Sequence, residues 1–203
     1  MPVFFQHQIN ETTRVGIWKI EEPESYFQRN VPVHRDVTHP HKRLQHLAGR
    51  FLLQYLFPDF PYELITIADT RKPFIPDERY HFSISHCGDY AAAIVSSTNR
   101  VGIDIEIPVD KLERIRHKFL KPEEEQRFPA LQSENHLIFL TQLWSAKEAV
   151  FKWYGLGKVD FREHMPLFPG TSPNHLKCEF ALSNQAVDIE TRDLSGIVLS
   201  FTT

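Results

Sequence analysis

Two acidic side chains in one short stretch have the type and spacing of metal ligands. Residues 101–107 read VGIDIEI, so that isoleucines alternate with Gly102, Asp104 and Glu106. Because side chains alternate between the two faces of a strand, this pattern predicts a β-strand with one apolar and one acidic face. Neighbouring carboxylates repel each other unless a cation lies between them, and such hard oxygen ligands suit Mg²⁺ or Ca²⁺. A strand with a solvated acidic face is the alternative that these residues alone leave open.

A third carboxylate occurs in a helical pattern later in the chain. Trp144, Glu148 and Lys152 recur every four residues and therefore share one face of a helix. An exposed ion pair between Glu148 and Lys152 would contribute little to stability, but the aromatic residue in line with it indicates a partly buried face. A carboxylate on such a face needs a partner, and a metal ion shared with Asp104 and Glu106 would supply one.

Side chains that bind phosphate groups are concentrated in the first half of the chain. Arg43 and Arg50 are seven residues apart and lie on one face of a predicted helix, and Lys72 follows in a loop. Ser85 and His86 close a predicted strand. All five side chains can donate hydrogen bonds to phosphate oxygens. A solvated charge is the alternative for each basic residue taken singly.

Two other kinds of site are disfavoured. Ser85 and His86 are neighbours in a strand and therefore point to opposite faces, and the chain has no G-x-S-x-G elbow, so a serine nucleophile is not expected. Four histidines between residues 34 and 46 match no zinc-binding spacing and have no cysteine near them. These histidines are His34, His39, His41 and His46.

The elements that must position these residues follow from hydrophobic periodicity. Leu44, Leu47 and Phe51 predict a helix over about 41–57, and a second long helix is predicted over about 134–154, capped by Ser133 and ended by Gly155. Shorter helices are predicted at 24–27, 111–120 and 122–128, and a loop at 161–175. Strands are predicted at 4–9, 15–20, 62–67, 80–85, 90–97, 101–107, 176–182, 187–191 and 196–202.

The same order of elements occurs twice: strand, polar segment, long helix, three strands. The predicted halves are 1–99 and 100–203, and the fold class is α+β, with a long helix packed on a small antiparallel sheet in each half. No glycine- or serine-rich linker separates the halves, so they are expected to pack against each other. A cleft between packed halves is a usual place for a ligand.

Composition excludes several classes of protein. The 203 residues are 41% hydrophobic and 24% charged, as in globular proteins. With a net charge of −3, the protein as a whole does not attract nucleic acid electrostatically. Two cysteines suit a reduced compartment, and neither a signal peptide nor an apolar run of about 20 residues is present. We expect a soluble, cytoplasmic protein, monomeric and not associated with membranes.

Five motifs occur in an ordered set that is more specific than any one of them. They are K-R-x6-R at 42–50, K-P at 72–73, F-x-I-S-H-x-G at 82–88, G-I-D-I-E at 102–106 and W-S-A-K-E-x3-K at 144–152. In order and separation the set resembles the 4′-phosphopantetheinyl transferases of the Sfp and enterobactin-synthase type. Enzymes of this family move the phosphopantetheine arm of coenzyme A to a serine of a carrier protein and release adenosine 3′,5′-bisphosphate. Their fold has two similar α+β halves, in a pseudo-twofold arrangement with the active site between them.

The resemblance implies a role for each candidate residue. Asp104, Glu106 and Glu148 would bind Mg²⁺, and Lys152 would lie near the pyrophosphate. On physical grounds we further expect Glu148 to accept the serine proton, directly or through a metal-bound water, and Lys152 to stabilise the leaving group. The nucleotide and phosphates of coenzyme A would be held by Arg43, Arg50, Lys72, Ser85 and His86. The chain departs from the family at two positions: Arg71 replaces the usual glycine before K-P, and Cys87 replaces the serine that often follows S-H.

The implied partner is an acyl or peptidyl carrier protein, a small, acidic and helical domain. The predicted helix 111–120 presents Arg114 and Lys118 outward, with Lys121 directly after it, and we expect these cations to bind the carrier by charge complementarity. A solvated basic face is the alternative. For the whole protein, the main alternative is a Mg²⁺-dependent phosphodiesterase that hydrolyses coenzyme A or nucleotides without an acceptor. A nucleotide-binding module without catalysis is a third possibility.

Overall fold

The computed structural model describes residues 3–32 and 37–202, which form two compact units, Met1–Gly102 and Ile103–Thr203. Each unit contains an antiparallel sheet and one long helix. The predicted α+β class is therefore confirmed, whereas the pseudo-twofold relation between the halves stays a prediction. Within the described ranges, no helix is both long and apolar enough to cross a bilayer.

The first unit is a four-stranded antiparallel sheet with the long helix α2 on one face. The strand order is β1-β2-β6-β5, and a separate two-stranded ribbon pairs β3 with β4. The helices are α1 (Glu24–Gln28) and α2 (Pro40–Leu56). The strands are β1 (Val3–Asn10), β2 (Thr13–Lys19), β3 (Thr66–Ile67), β4 (Pro73–Phe74), β5 (His81–Cys87) and β6 (Tyr90–Ser96).

Helix α2 approaches β5 closely because it has a glycine at the contact. A Cβ added to Gly49 would lie 2.6 Å from Cγ2 of Ile84, well inside van der Waals contact. Leu47 and Leu53 of α2 pack in the same core as Trp18 of β2. The apolar stripe predicted for this helix thus does cover the sheet.

One predicted strand of the first unit is wrong. Residues 62–67 were expected to be extended, but Tyr62–Leu64 forms a 3₁₀ helix and only Thr66–Ile67 is strand. The cause is a tertiary contact: the Tyr62 hydroxyl donates a hydrogen bond to the carbonyl of Arg50 in α2, at 2.6 Å, and its ring is buried. The alternation of apolar residues contains no information about that partner.

The second unit is a five-stranded antiparallel sheet packed on α5. Its strand order is β7-β11-β10-β9-β8. The strands are β7 (Ile103–Glu106), β8 (Leu167–Pro169), β9 (His175–Phe180), β10 (Gln185–Asp193) and β11 (Val198–Thr202). The helices are α3 (Lys111–Ile115), α4 (Pro122–Glu125), α5 (His136–Tyr154) and α6 (Phe161–His164).

Helix α5 ends as predicted but begins differently. Gly155 has a φ of +73°, the left-handed conformation that stops a helix. At the other end Ser133 does not cap the helix, because its hydroxyl donates to the carbonyl of Ala130 at 2.8 Å and closes a preceding 3₁₀ turn. The helix therefore starts at His136, after Asn135.

Three other predicted segments of this unit differ in length. The helix expected at 111–120 ends at Ile115 and continues as a 3₁₀ turn, and the helix from Pro122 ends at Glu125. The expected loop 161–175 contains α6 and β8. Asp160 explains α6, because its carboxylate accepts hydrogen bonds from the amides of Arg162 and Glu163, both at 2.9 Å.

Candidate active site

The acidic face of β7 points toward α5. Lys152 Nζ of α5 lies 2.7 Å from Asp104 Oδ1, and Trp144 Nε1 donates to Glu106 Oε1 at 3.3 Å. Both partners, Trp144 and Lys152, lie on the face of α5 on which residues recur every four positions. In the β7–β11 pairing, Asp104 lies opposite Ser200, which is also fully buried.

Asp104 is a buried carboxylate, and the Lys152 ammonium compensates its charge. The Asp104 side chain is only 4% exposed, against 26% for Lys152. A carboxylate at that depth is costly without a cationic or hydrogen-bonding partner. The resemblance placed Lys152 near a pyrophosphate, and the structure adds that this ammonium binds Asp104.

Glu106 and Glu148 share the electrostatic field of Asp104. Burial raises the pKa of Glu106 to about 7, and the negative charge of Asp104 adds to the effect. Burial also raises the pKa of Glu148 to about 7, with further contributions from the charges of Asp104 and Glu106 that Lys152 partly offsets. The charge of Asp104 therefore reaches both glutamates and disfavours their ionised forms.

The donor set suits a hard divalent cation, although it is not already arranged as a metal site. Among residues 3–32 and 37–202, no three His, Cys, Asp or Glu side chains form a group that could hold a metal ion. The fit is chemical: Asp104, Glu106 and Glu148 offer only oxygen donors, as Mg²⁺ prefers, and their mutual repulsion is what a cation would relieve. Mg²⁺ binding by these residues stays a prediction.

The histidines considered for zinc lie in the first unit. His41 Nε2 is 3.1 Å from Asp89 Oδ1, next to the turn between β5 and β6. His39 immediately precedes α2, and His46 is within it. His34 lies outside the described residues.

Arg43, the first phosphate-binding candidate, is held by an acidic residue of α1. Its Nε and Nη2 donate to the two carboxylate oxygens of Glu24 at 2.7 and 2.9 Å, and its Nη1 donates to the carbonyl of Val37 at 2.9 Å. This bidentate pair fixes the plane of the guanidinium.

Arg50 differs from Arg43 in pairing with no acidic side chain among residues 3–32 and 37–202. It is 4% exposed, and its Nη1 is a buried nitrogen with no hydrogen-bond partner in the described part of the chain. Burial lowers the pKa of this guanidinium. A buried donor left without an acceptor is costly, so an anion at this position would be stabilising.

Lys72 follows a residue with unusual backbone geometry. Arg71 has a φ of +68°, and its amide donates to the carbonyl of Ala68 at 2.8 Å. An arginine thus adopts the backbone conformation that glycine adopts easily, at the position where the family usually has glycine. Burial lowers the pKa of Lys72 to about 8, and the positive charge of Arg100 adds to the effect.

Ser85 and His86 lie on opposite faces of β5. Their partners in β6 are Ala92 and Ala91, and Ala91 belongs to the core beneath α2. His86 is exposed on the α2 face, and Ser85 is buried on the other. This arrangement agrees with the expectation that the two side chains do not act together as a nucleophile and its base.

The basic residues around α3 divide into two groups. Arg114 and Lys118 are exposed, whereas Lys121 Nζ binds Glu163 at 2.6 Å. Arg116, between them, pairs with Glu125 at 2.7 Å. Arg114 and Lys118, together with Lys111 at the start of α3, therefore provide exposed positive charge on this surface.

Two contacts at the site were not anticipated from the sequence. The sequence indicates only that Trp144 is partly buried, but in the structure its indole donates a hydrogen bond to Glu106. Lys147 was given no role, yet it is fully buried and paired with Glu124 at 2.8 Å. The signal for Lys147 is its position between Leu143 and Val150 on the apolar stripe of α5, where a lysine requires a partner.

Comparisons with known proteins point to one family. The model of the 4′-phosphopantetheinyl transferase superfamily matches residues 100–193. Enterobactin synthase component D of Escherichia coli (strain K12) is 36% identical over 114 residues, which are 55% of this chain and 54% of that protein. The same component of Shigella flexneri is 34% identical over 114 residues, with the same two shares.

A third relative is named as a 4′-phosphopantetheinyl transferase. The 4′-phosphopantetheinyl transferase AcpT of Escherichia coli (strain K12) is 29% identical over 116 residues, which are 56% of this chain and 59% of that protein. The chain spans about half the length of the curated relatives it matches. The resemblance predicted from the motifs is confirmed: residues 100–193 match the model of the 4′-phosphopantetheinyl transferase superfamily.

Proposed function

We propose that this protein transfers the 4′-phosphopantetheine arm of coenzyme A to a serine of an apo acyl or peptidyl carrier protein, with Mg²⁺ as cofactor. The proposal is supported by the proximity of four side chains. Asp104 and Glu106 of β7 interact with Glu148 and Lys152 of α5. All four residues lie in the segment that matches the superfamily. The name of the relative AcpT describes the same transfer.

Asp104, Glu106 and Glu148 are the proposed ligands of Mg²⁺. When bound, the ion would offset the charge that develops on the phosphate oxygens. The chain's own contribution is to keep three carboxylates in a largely buried place, where electrostatic interactions are stronger than in water. Lys152 counters the charge of Asp104 there.

Glu148 and Lys152 have different proposed roles: Glu148 accepts a proton, and Lys152 stabilises the leaving group. The serine oxygen forms a bond to the β-phosphorus of coenzyme A as Glu148 takes its proton, directly or through a water. The bond from that phosphorus to the bridging pyrophosphate oxygen breaks, and adenosine 3′,5′-bisphosphate leaves. Lys152, one turn after Glu148 on α5, stabilises the charge of the leaving group.

The half 1–99 is proposed to bind coenzyme A. Arg50 supports this best, because a buried guanidinium with an unsatisfied nitrogen favours a phosphate acceptor. Lys72, Ser85 and His86 complete the proposed set, together with Arg43, whose orientation Glu24 fixes. The half 100–203 is proposed to hold the metal ion and to dock the carrier through Arg114, Lys118 and Lys121, and the protein is proposed to act as a cytoplasmic monomer.

The test is a mass measurement on the acceptor. The protein is incubated with coenzyme A, Mg²⁺ and a panel of purified apo carrier proteins, and each carrier is weighed by mass spectrometry. The expected result is a gain of one phosphopantetheine group that chelation of the metal prevents. Release of free phosphopantetheine in the absence of any carrier would instead indicate the hydrolase alternative and overturn the proposal.

A further inference from the structure

A fully buried ion pair joins α5 to α4. The side chains of Lys147 and Glu124 are 0% and 2% exposed, and Lys147 Nζ lies 2.8 Å from Glu124 Oε1 and 2.9 Å from Oε2. The same ammonium donates to the carbonyls of Phe119, at 2.5 Å, and Phe161, at 3.1 Å. One cation thus ties together the segment before α5 and the segment after it.

Stability alone does not account for this pair. A buried ion pair is often no more stabilising than apolar residues of the same volume, although removing one partner leaves a costly uncompensated charge. Here every donor of Lys147 has an acceptor, and Glu124 Oε1 also accepts the amide of Leu167 at 2.8 Å. A fully satisfied buried network of this kind imposes one geometry on the segments it joins.

The two residues whose carbonyls bind Lys147 also enclose Trp144. The ring centroids of Phe119 and Phe161 lie 5.1 and 5.5 Å from that of Trp144. Trp144 in turn donates its indole N–H to Glu106. A continuous series of contacts therefore leads from the Lys147–Glu124 pair, through two aromatic residues, to a carboxylate of the candidate active site.

We propose that Lys147 and Glu124 are positioning residues of the transferase. They fix the backbones of Phe119 and Phe161, which hold the Trp144 indole in place to orient Glu106. Lys147 also precedes Glu148 on α5, so the pair sets the rotation of the helix that presents this second carboxylate. The inference rests on the proposed function of the carboxylates, but it concerns residues that touch neither substrate nor metal.

The test uses a variant that removes both charges and keeps the volume. In Lys147→Met/Glu124→Gln, the glutamine oxygen can still accept the Leu167 amide, and no unpaired charge is left buried. We expect a folded protein whose kcat for carrier modification falls by about 10²-fold, as a displacement of about 1 Å can cause. The KM for coenzyme A should stay within about twofold of the wild-type value.

A second readout is independent of activity. The chain has three tryptophans, so the indole N–H signal of Trp144 in a ¹H–¹⁵N spectrum can be assigned with Trp144→Phe. We expect this signal to move in the double variant, while that of Trp18 in the first unit stays. Lys147→Leu/Glu124→Gln is the second variant should the first not fold, because it also leaves no unpaired charge buried, and we expect a change of the same kind.

The matched control removes a neighbouring but partly exposed pair. Arg116→Gln/Glu125→Gln breaks a 2.7 Å ion pair close to α4 without touching the carbonyls of Phe119 or Phe161. We expect wild-type kcat and an unchanged Trp144 signal. A folded Lys147→Met/Glu124→Gln protein with wild-type kcat, or with a loss that the control shares, would overturn the inference. If the wild-type protein modifies no carrier, the proposed function fails, and the Trp144 signal still decides whether the pair positions the indole.

Discussion

At the scale of single residues, Glu148 and Lys152 lie one helical turn apart on α5 and differ in what they contact. Lys152 binds the buried Asp104, and Glu148 lies in the field of both β7 carboxylates. Their proposed roles, proton acceptor and cation for the leaving group, can therefore be separated by substitution.

Glu148→Gln should nearly abolish transfer. The amide keeps the volume of the side chain but can neither accept the serine proton nor contribute a negative charge to metal binding. A loss of about 10²- to 10⁴-fold in initial rate is expected, measured as mass gain of the carrier. Glu123→Gln, at an exposed position of α4, is the control. Full activity of Glu148→Gln at saturating Mg²⁺ would refute the assignment.

Lys152→Ala should slow transfer and weaken the binding of coenzyme A. The ammonium is the cation on this face of α5, and its loss also removes the 2.7 Å contact with Asp104. Calorimetric titration with coenzyme A and the rate of carrier modification measure the two effects. The exposed Lys177 supplies the control, Lys177→Ala. Unchanged affinity and rate would show that Lys152 serves only to neutralise Asp104.

Arg71→Gly should be more stable than Arg71→Ala. At a φ of +68°, a residue with a Cβ pays a conformational penalty of about 1 kcal/mol or more that glycine avoids. Alanine removes the same arginine atoms but keeps the penalty, so the pair isolates the backbone effect. Denaturant titration gives both free energies of unfolding, and equal values would contradict the interpretation.

At the scale of elements, α3 is short, and the exposed cations Arg114 and Lys118 follow closely in sequence the strand that carries the acidic pair. The helix spans only Lys111–Ile115, so Lys118 is presented by the following 3₁₀ turn. The proposed docking surface is therefore a helix and a turn, and Lys121 is less available because Glu163 binds it.

Arg114→Glu/Lys118→Glu should raise the apparent KM for the carrier and leave coenzyme A binding unchanged. Reversal of two exposed charges turns attraction for an acidic domain into repulsion. This repulsion mainly lowers the rate at which the two proteins associate. Steady-state rates at varied carrier concentration measure the effect. The same reversal at Lys177, on β9 far along the sequence, serves as the control. An unaltered KM would rule out this surface.

At the scale of the whole molecule, the net charge of −3 has the same sign as that of an acidic carrier. Attraction must therefore come from a local patch. The KM for the carrier should rise as salt is increased from low to physiological ionic strength, where the screening length is about 8 Å. In the charge-reversed variant the dependence should reverse, because salt then screens a repulsion and lowers the KM. A KM insensitive to salt in the wild-type protein would indicate docking through apolar contacts.

Much of the site could be predicted because it depends on local periodicity. The alternation in 101–107 places Asp104 and Glu106 on one face, and the fourfold spacing places Trp144, Glu148 and Lys152 together. Errors arose where a distant residue decides local structure. Tyr62 leaves the strand conformation because its hydroxyl binds the carbonyl of Arg50.

The sequence by itself determined the fold class, the motifs of the superfamily and which side chains share a face, because those depend on residues close along the chain. Only the tertiary structure decided the pairs: Arg43 with Glu24, Lys152 with Asp104, and Lys147 with Glu124. The partners in these pairs are 19, 48 and 23 residues apart. A charge finds its partner through the packing of whole elements, and no spacing along the chain specifies which of 26 acidic residues that will be.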